Sequence, residues 1–186
     1  MIDDYVAKGF WDRVCIADIL EQNARNWPDK EAIVDSESRL TWSQLNRLVD
    51  RTALGLLELG IKRDQAIVAQ IPNSTIAVIL LLACQKAGIL SCFSPMTFRH
   101  NEMPQGASSF QSLLCTSVGG QELEEVLKEH AFGPFEVSAI VQSSGTTGMP
   151  KCIEHTGASC KVAGWGIIGR NGSSGGGICE DRWDVS

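Results

Sequence analysis

The residues best suited to chemistry in this sequence lie between positions 143 and 151, where hydroxyls, glycines and a lysine are concentrated. Glycine lets a backbone bend closely around a ligand, so that successive N–H groups can form an anion-binding nest. Hydroxyls add hydrogen-bond donors, and a lysine ammonium is a mobile positive charge that suits phosphate oxygens. This segment therefore indicates a polyphosphate-binding loop, with these candidate residues: Ser143, Ser144, Gly145, Thr146, Thr147, Gly148 and Lys151.

The spacing of the lysine separates this loop from the Walker A motif. That motif requires G-x-x-x-x-G-K-[ST]. Here Lys151 follows Met149-Pro150 and precedes Cys152, so neither the spacing nor the final hydroxyl fits. Composition alone also leaves open a surface loop that is rich in Ser, Thr and Gly and binds no ligand.

The order of residues from Ser143 to Lys151 resembles the signature loop of the adenylate-forming superfamily. This superfamily includes acyl- and aryl-CoA synthetases, nonribosomal peptide adenylation domains and luciferases. The resemblance implies that the loop holds the β- and γ-phosphates of ATP, with Mg²⁺, while an acid carboxylate attacks the α-phosphate. It implies CoA as a possible co-substrate, and it assigns no catalytic or metal-ligating residue to this chain. Cys152 departs from the family pattern, which usually has glycine there.

A second set of segments resembles the N-terminal region of the same superfamily. The resemblance covers roughly residues 16–102 and 135–163, and it implies that these N-terminal segments are scaffold. The fold class implied is α/β: a partial, truncated N-terminal domain of the adenylate-forming fold, with parallel-rich α/β layers. The matching segments are Pro28–Val34, Leu40–Leu45, Leu59–Ile61, Pro72–Ser74 and Lys86–Gly88.

Hydrophobic spacing predicts the elements that would position the loop. Strand–helix–strand order with short connections predicts parallel strands joined by right-handed crossovers. Thr41 and Gln44 fit a capping box, Asn73 or Ser74 would cap a later helix, and Gly60 and Gly88 would end helices. Met1–Arg13 is expected to be an irregular arm. The helices are expected at 16–26, 42–59, 74–86, 122–130 and 156–168. The strands are expected at 32–34 and 39–41, which would pair as a hairpin, and at 66–71, 89–93 and 137–142, with another strand starting after the loop.

Composition shifts divide the chain into four parts. Residues 1–102 form an N-terminal α/β subdomain, and residues 103–134 are a shortened, irregular connecting region. An internal deletion there would leave part of the sheet edge uncovered. Residues 135–169 hold the buried strand, the phosphate loop and a helix. Residues 170–186 form a glycine-rich tail that is expected to be disordered.

Charge, cysteine content and hydropathy exclude several classes of protein. The 186 residues carry a formal net charge of −6, which argues against nucleic acid or an anionic membrane as the main partner. Seven cysteines and three histidines show no C-x-x-C spacing, so no zinc framework is expected and the thiols are interpreted as reduced and mostly buried. No signal peptide is visible, and the longest apolar run, Ile76–Cys84, is too short to span a bilayer. These features predict a cytoplasmic protein of undetermined oligomeric state.

Taken together, the motifs predict the N-terminal portion of an ATP-dependent, AMP-forming carboxylic acid–CoA ligase, with fatty acid metabolism as one setting. The isolated chain is expected to be inactive, because the family's adenine, ribose, hinge and catalytic-lysine motifs do not appear after the loop. Two alternatives stay open: a non-catalytic module that binds a nucleotide or a partner, and the product of a truncated gene. The sequence does not identify the acid substrate. It also does not decide whether the acceptor is CoA or a carrier-protein thiol.

Overall fold

The computed structural model describes residues 2–11, 13–94, 121–143 and 151–160. These residues contain five helices, six strands and a helical turn at 157–160 after the last strand. The helices are α1 (Ile2–Ala7), α2 (Ile16–Asn26), α3 (Trp42–Glu58), α4 (Thr75–Ala87) and α5 (Gln121–His130). The strands are β1 (Glu31–Val34), β2 (Arg39–Thr41), β3 (Ala66–Ala69), β4 (Leu90–Phe93), β5 (Val137–Ser143) and β6 (Lys151–Thr156).

The strands form two sheets. An antiparallel hairpin joins β1 and β2, as predicted. The larger sheet has the order β3-β4-β5-β6, in which β3, β4 and β5 are parallel and β6 runs antiparallel to β5. Helix α4 connects β3 to β4, and parallel strands require a crossover connection of this kind. The predicted α/β fold with a parallel sheet is therefore confirmed, with an antiparallel strand added at one edge of the described sheet.

The hydrophobic core lies between the helices and one face of the larger sheet. The side chains of Leu56, Ile89 and Val49 are almost completely buried within it. From the sheet, Ile67, Ala69 and Phe93 pack against this core. The apolar stripes of α3 and α4 therefore cover β3 and β4 on that face, which is the usual arrangement for a βαβ layer.

Local signals set the ends of the two long helices. The backbone N–H of Gln44 donates to Thr41 Oγ1 at 3.3 Å, and the Thr41 N–H donates to Gln44 Oε1 at 2.9 Å, which confirms the predicted capping box. Gly60 and Gly88 follow α3 and α4 with φ of +81° and +67°. Only glycine adopts these angles without steric cost, so both predicted helix ends are confirmed.

The N-terminus of α4 is capped differently from the prediction. Ser74 stands at the N-cap position, but its hydroxyl donates to the Pro72 carbonyl at 3.1 Å and does not cap the helix. The Thr75 N–H instead donates to Asp35 Oδ2 at 2.8 Å, across 40 residues of sequence. This bond, with others from Thr75, Glu37 and Ser38, holds the pKa of Asp35 well below its usual range. The β1–β2 turn thus fastens the start of α4, where a carboxylate also complements the helix dipole.

Lys86, near the end of α4, carries a buried ammonium that joins three helices. Its Nζ lies 2.6 Å from Asp50 Oδ1 and 3.1 Å from Asn46 Oδ1, both on α3. Glu21 of α2 provides a third oxygen at 2.8 Å. Because the Lys86 side chain is only 4% exposed, these oxygens replace the water that the ammonium loses on burial.

Residues 2–7 form a helix, so the predicted irregular arm is wrong for this segment. Asp3 and Asp4 lie in the first turn of α1, where they complement the helix dipole, and Lys8 Nζ lies 3.0 Å from Asp4 Oδ2. The Tyr5 ring stacks on Trp11 at 5.2 Å between centroids. The expectation failed because these stabilising contacts are local, whereas α1 buries no residue that would produce an amphipathic pattern.

No helix in the described ranges is both long and apolar enough to cross a membrane. The predicted four-part division stays a prediction, because most of residues 103–134 and all of 170–186 lie outside the described residues.

Candidate functional site

The candidate phosphate loop connects β5 to β6. These strands form an antiparallel hairpin in which Ser143 lies opposite Lys151, and Val141 lies opposite Ile153. The first hydroxyl residue of the predicted site and its lysine are therefore a cross-strand pair at the base of the loop. This confirms the predicted strand–loop–strand arrangement, and the hairpin register places the two residues together.

The loop leaves the sheet at the carboxyl ends of its parallel strands. Since β5 runs parallel to β3 and β4, Ser143 lies at the same edge as Ala69 and Phe93, the last residues of those strands. Open α/β sheets bind ligands at this edge, because the connecting loops there are free to vary while the strands hold them in place. The position of the loop is therefore the one expected for a ligand site.

The structure describes the predicted site residues only in part. Ser143 and Lys151 are placed by their backbones at the ends of β5 and β6. The others lie outside the described residues: Ser144, Gly145, Thr146, Thr147 and Gly148. Their part in phosphate binding stays a prediction.

Strand β5 is anchored to its neighbours at its amino-terminal end. The Ser91 hydroxyl donates to the Ser138 carbonyl at 3.2 Å, and both side chains are buried. A serine in a parallel strand gives no signal of its own, so sequence reasoning missed this contact. The bond adds a side-chain link to the β4–β5 ladder and helps to hold the strand from which the loop emerges.

An arginine–glutamate pair fastens the connection before β5 to the turn before β3. The Arg63 guanidinium donates to both Glu136 carboxylate oxygens, at 2.8 and 2.9 Å. The Gly133 N–H also donates to Glu136, and the Gly133 and Arg63 bonds hold the pKa of this carboxyl below its usual value. Arg63 further lies over the Phe132 ring, 5.0 Å from its centroid. No motif marked these residues, because the pair spans 73 positions of sequence.

Part of the predicted burial of β5 is wrong. Ser138 and Ala139 are buried, but the Val141 side chain is 47% exposed. Its cross-strand partner Ile153 is 49% exposed. Neither residue joins the core cluster that packs against Phe93 on the neighbouring strand. The alternation of apolar residues along β5 predicted a buried face. Whether that face is buried depends on whether a helix packs over β5 and β6.

No disulfide joins the cysteines that the structure describes, and three of them are buried as predicted: Cys15, Cys84 and Cys92. Burial raises the pKa of Cys92, and the nearby Cys152 raises it further. Cys152, next to Lys151, is exposed, and Cys115 and Cys179 lie outside the described residues. Among the residues that the structure describes, no three His, Cys, Asp or Glu side chains gather into a possible metal site.

Comparison with known proteins shows which enzymes this chain resembles. A family model described as AMP-binding enzyme matches residues 20–107. Triostin synthetase I of Streptomyces triostinicus is 26% identical over 82% of this chain and 35% of its own length. The apo structure of MbtA from Mycobacterium smegmatis superposes with a TM-score of 0.71, at 24% identity, over 84% of this chain and 36% of that one. The match to the AMP-binding family covers a little under half of the chain, and the comparisons together support an adenylate-forming relative.

The fold of the chain matches the N-terminal domain of the adenylate-forming enzymes. Salicylyl-CoA synthase / salicylate adenylyltransferase of a Streptomyces species is 34% identical, over 54% of this chain and 18% of its own length. The chain thus spans about a third of the length of Triostin synthetase I and of MbtA.

Proposed function

We propose that this chain supplies the ATP-phosphate-binding segment of an AMP-forming ligase that activates a carboxylic acid. In the proposed reaction a carboxylate oxygen attacks the α-phosphorus of ATP. A P–O bond forms, the bond to the bridging oxygen breaks, and pyrophosphate leaves with that electron pair. The observation that supports this most is the pairing of Ser143 with Lys151 at the carboxyl edge of the parallel strands, within a loop that has the superfamily's residue order.

Each type of residue in the loop has a distinct proposed role. The backbone N–H groups around Gly145 and Gly148 would surround the phosphate oxygens, and the hydroxyls would donate hydrogen bonds. Lys151 would place its ammonium on the pyrophosphoryl oxygens as negative charge moves onto them. The described residues offer no carboxylate cluster for Mg²⁺. In this proposal Mg²⁺ therefore arrives with ATP, as part of the substrate.

The proposed acceptor of the activated acyl group is a thiol, with CoA favoured over a carrier-protein thiol. The 34%-identical relative is called a salicylyl-CoA synthase and a salicylate adenylyltransferase, so its name covers both adenylate and CoA ester formation. Other relatives are named as medium-chain fatty-acid and aryl-acid ligases. A cytoplasmic location, where ATP and CoA are abundant, follows from this proposal.

Removing the Lys151 ammonium is the direct test of phosphate binding. We expect Lys151→Ala to weaken ATP binding about tenfold to a hundredfold, because a charge-assisted hydrogen bond contributes about 1.5–3 kcal/mol. Isothermal titration calorimetry of the full chain with ATP and Mg²⁺ would measure the change in Kd.

Lys8→Ala is the matched control, since it removes an equal charge from an exposed helix far along the sequence. Its Kd for ATP should stay within about twofold of the unsubstituted chain. Equal affinities for Lys151→Ala and the unsubstituted chain would contradict the assignment of the loop.

A second prediction separates phosphate binding from catalysis. We expect the isolated chain to show no ATP–pyrophosphate exchange with a panel of aryl and fatty acids, although it binds ATP. Stabilising the transferring phosphoryl group needs donors, cation and metal held around it together, and one loop with one lysine supplies only part of that set.

Radiolabelled pyrophosphate incorporation into ATP measures this directly, with a complete adenylate-forming enzyme as the positive control. Exchange that depends on the acid and disappears in Lys151→Ala would show that the chain is itself an active ligase. ATP binding without exchange would favour the second candidate function, a non-catalytic nucleotide-binding module.

A further inference from the structure

The β5–β6 hairpin extends beyond the parallel part of the larger sheet. Among the described residues, β4 pairs with β5 only as far as Phe93 and Val141. The pairing of β5 with β6 continues further, to Ser143 and Lys151. A two-stranded ribbon is marginally stable by itself. The positions of Ser143 and Lys151 therefore depend on how firmly the two strands are held at the end of the hairpin away from the loop.

Strand β5 is held by a short ladder and one buried side-chain bond. The ladder between β4 and β5 has three residue pairs, which start at Ser91 and Ala139. In this register the Ser91 hydroxyl reaches the Ser138 carbonyl, and the two residues are 2% and 4% exposed. A slip of β5 along β4 would break this bond and leave a buried carbonyl without its donor, which is unfavourable. Ser91 therefore holds β5 in register.

Strand β6 is held at its end by the helical turn at 157–160. The Ala158 N–H donates to the Pro134 carbonyl at 2.8 Å, and Ala158 is buried. Gly157 lies directly against α4, since a Cβ added there would lie 2.5 Å from Gln85 Nε2. Gln85 is itself buried, so its amide has little room to move away. The close approach that glycine permits therefore fixes the end of β6 against α4.

We propose that Ser91 and Gly157 are positioning residues for the candidate phosphate loop. Each of them holds one strand of the hairpin that carries the loop. Ser143 follows Ala139, the partner of Ser91, by four residues or about 13 Å of strand, so Ser91 acts through β5. Lys151 begins β6 and Gly157 directly follows it, so Gly157 acts through β6. The expected effect on ATP binding rests on the proposed function, whereas the expected effect on the hairpin does not.

The Arg63–Glu136 ion pair also lies next to the start of β5, but it contributes less to this positioning. Its side chains are 33% and 49% exposed, so water and salt weaken the attraction between the two charges. The contacts of Ser91 and Gly157 are buried and are therefore not weakened in this way.

Amide hydrogen exchange of the full chain, followed by NMR, tests the role of Ser91. We expect Ser91→Ala to speed exchange in residues 139–143 and 151–155 about tenfold, because opening of the hairpin no longer breaks the buried bond. Thr52→Val is the matched control, since it removes a buried hydroxyl that donates to the Leu48 carbonyl within α3. Equal acceleration of the hairpin by both variants, or none by Ser91→Ala, would overturn the proposal.

A paired substitution tests the role of Gly157. We expect Gly157→Ala to speed exchange in residues 151–155 about tenfold, because the new methyl group pushes the turn away from Gln85. Adding Gln85→Ala removes the obstacle and should restore most of the protection. The Gln85 amide nitrogen has no hydrogen-bond partner among the described residues, so this truncation breaks no bond of that nitrogen. No acceleration by Gly157→Ala, or no recovery in the double variant, would show that this contact does not hold β6.

Calorimetric titration with ATP and Mg²⁺ connects the hairpin to nucleotide binding. We expect Ser91→Ala and Gly157→Ala to weaken ATP binding about threefold to tenfold, with Thr52→Val within about twofold of the unsubstituted chain. An unchanged Kd in both variants, despite faster exchange, would mean that the strands do not position the loop. If the unsubstituted chain binds no ATP, the proposed function fails, and the exchange rates alone decide whether the two residues hold the hairpin.

Discussion

Substituting Gly88 with alanine is expected to lower the free energy of unfolding by about 3 kcal/mol or more. Gly88 ends α4 with φ of +67°, where an L-residue is strained. A Cβ at this position would also overlap the backbone carbonyl of His130 at the end of α5 and lie 2.9 Å from the Arg63 side chain. The obstacle is largely backbone, so the ends of α4 and α5 would have to move apart. Urea denaturation of the full chain, followed by circular dichroism, measures the loss.

Gly60 provides the matched control for this prediction. It also follows a helix with positive φ, at +81°, but a Cβ there would meet nothing within 4 Å. Gly60→Ala should therefore cost only the conformational strain, about 1–2 kcal/mol. The difference between the two variants isolates the contact with His130. Equal losses for Gly60→Ala and Gly88→Ala would show that this contact is not tight in solution.

Replacing Lys86 with methionine is expected to lower the free energy of unfolding by about 3 kcal/mol. Methionine fills a similar volume but removes the cation that lies 2.6 Å from Asp50 and 2.8 Å from Glu21. The Asp50 side chain is 15% exposed, so its charge would lose a close counter-ion where water compensates poorly. Glu21 is 35% exposed and can turn towards solvent, so most of the loss should come from Asp50.

The exposed pair of Lys8 and Asp4 tests whether burial causes the loss of stability expected for Lys86→Met. Its two side chains are 57% and 62% exposed, so Lys8→Met should change stability by less than about 0.5 kcal/mol. The double variant Lys86→Met/Asp50→Leu should recover part of the loss, since removing both charges also removes the desolvation cost. If Lys86→Met costs no more than Lys8→Met, the ammonium of Lys86 is not buried among these oxygens in solution.

The residue pattern by itself determined the features that depend on neighbours a few positions apart. Helix periodicity placed α2, α3 and α4, the Thr41–Gln44 spacing predicted the capping box, and glycines marked two helix ends. The order of hydroxyls, glycines and lysine also marked the candidate loop. These features could be predicted because a helix turn, a cap or a glycine end is stabilised by contacts within about four residues.

Tertiary structure alone decided where distant residues meet. Asp35 takes over the capping of α4 from Ser74, Lys86 reaches two other helices, and Glu136 pairs with Arg63. The register of β5 and β6 sets Ser143 opposite Lys151, and the reach of the described helices leaves Val141 exposed. Each of these depends on how separate elements pack. The spacing of apolar residues predicts which face of a helix or strand can be buried. It does not predict which other element packs against that face.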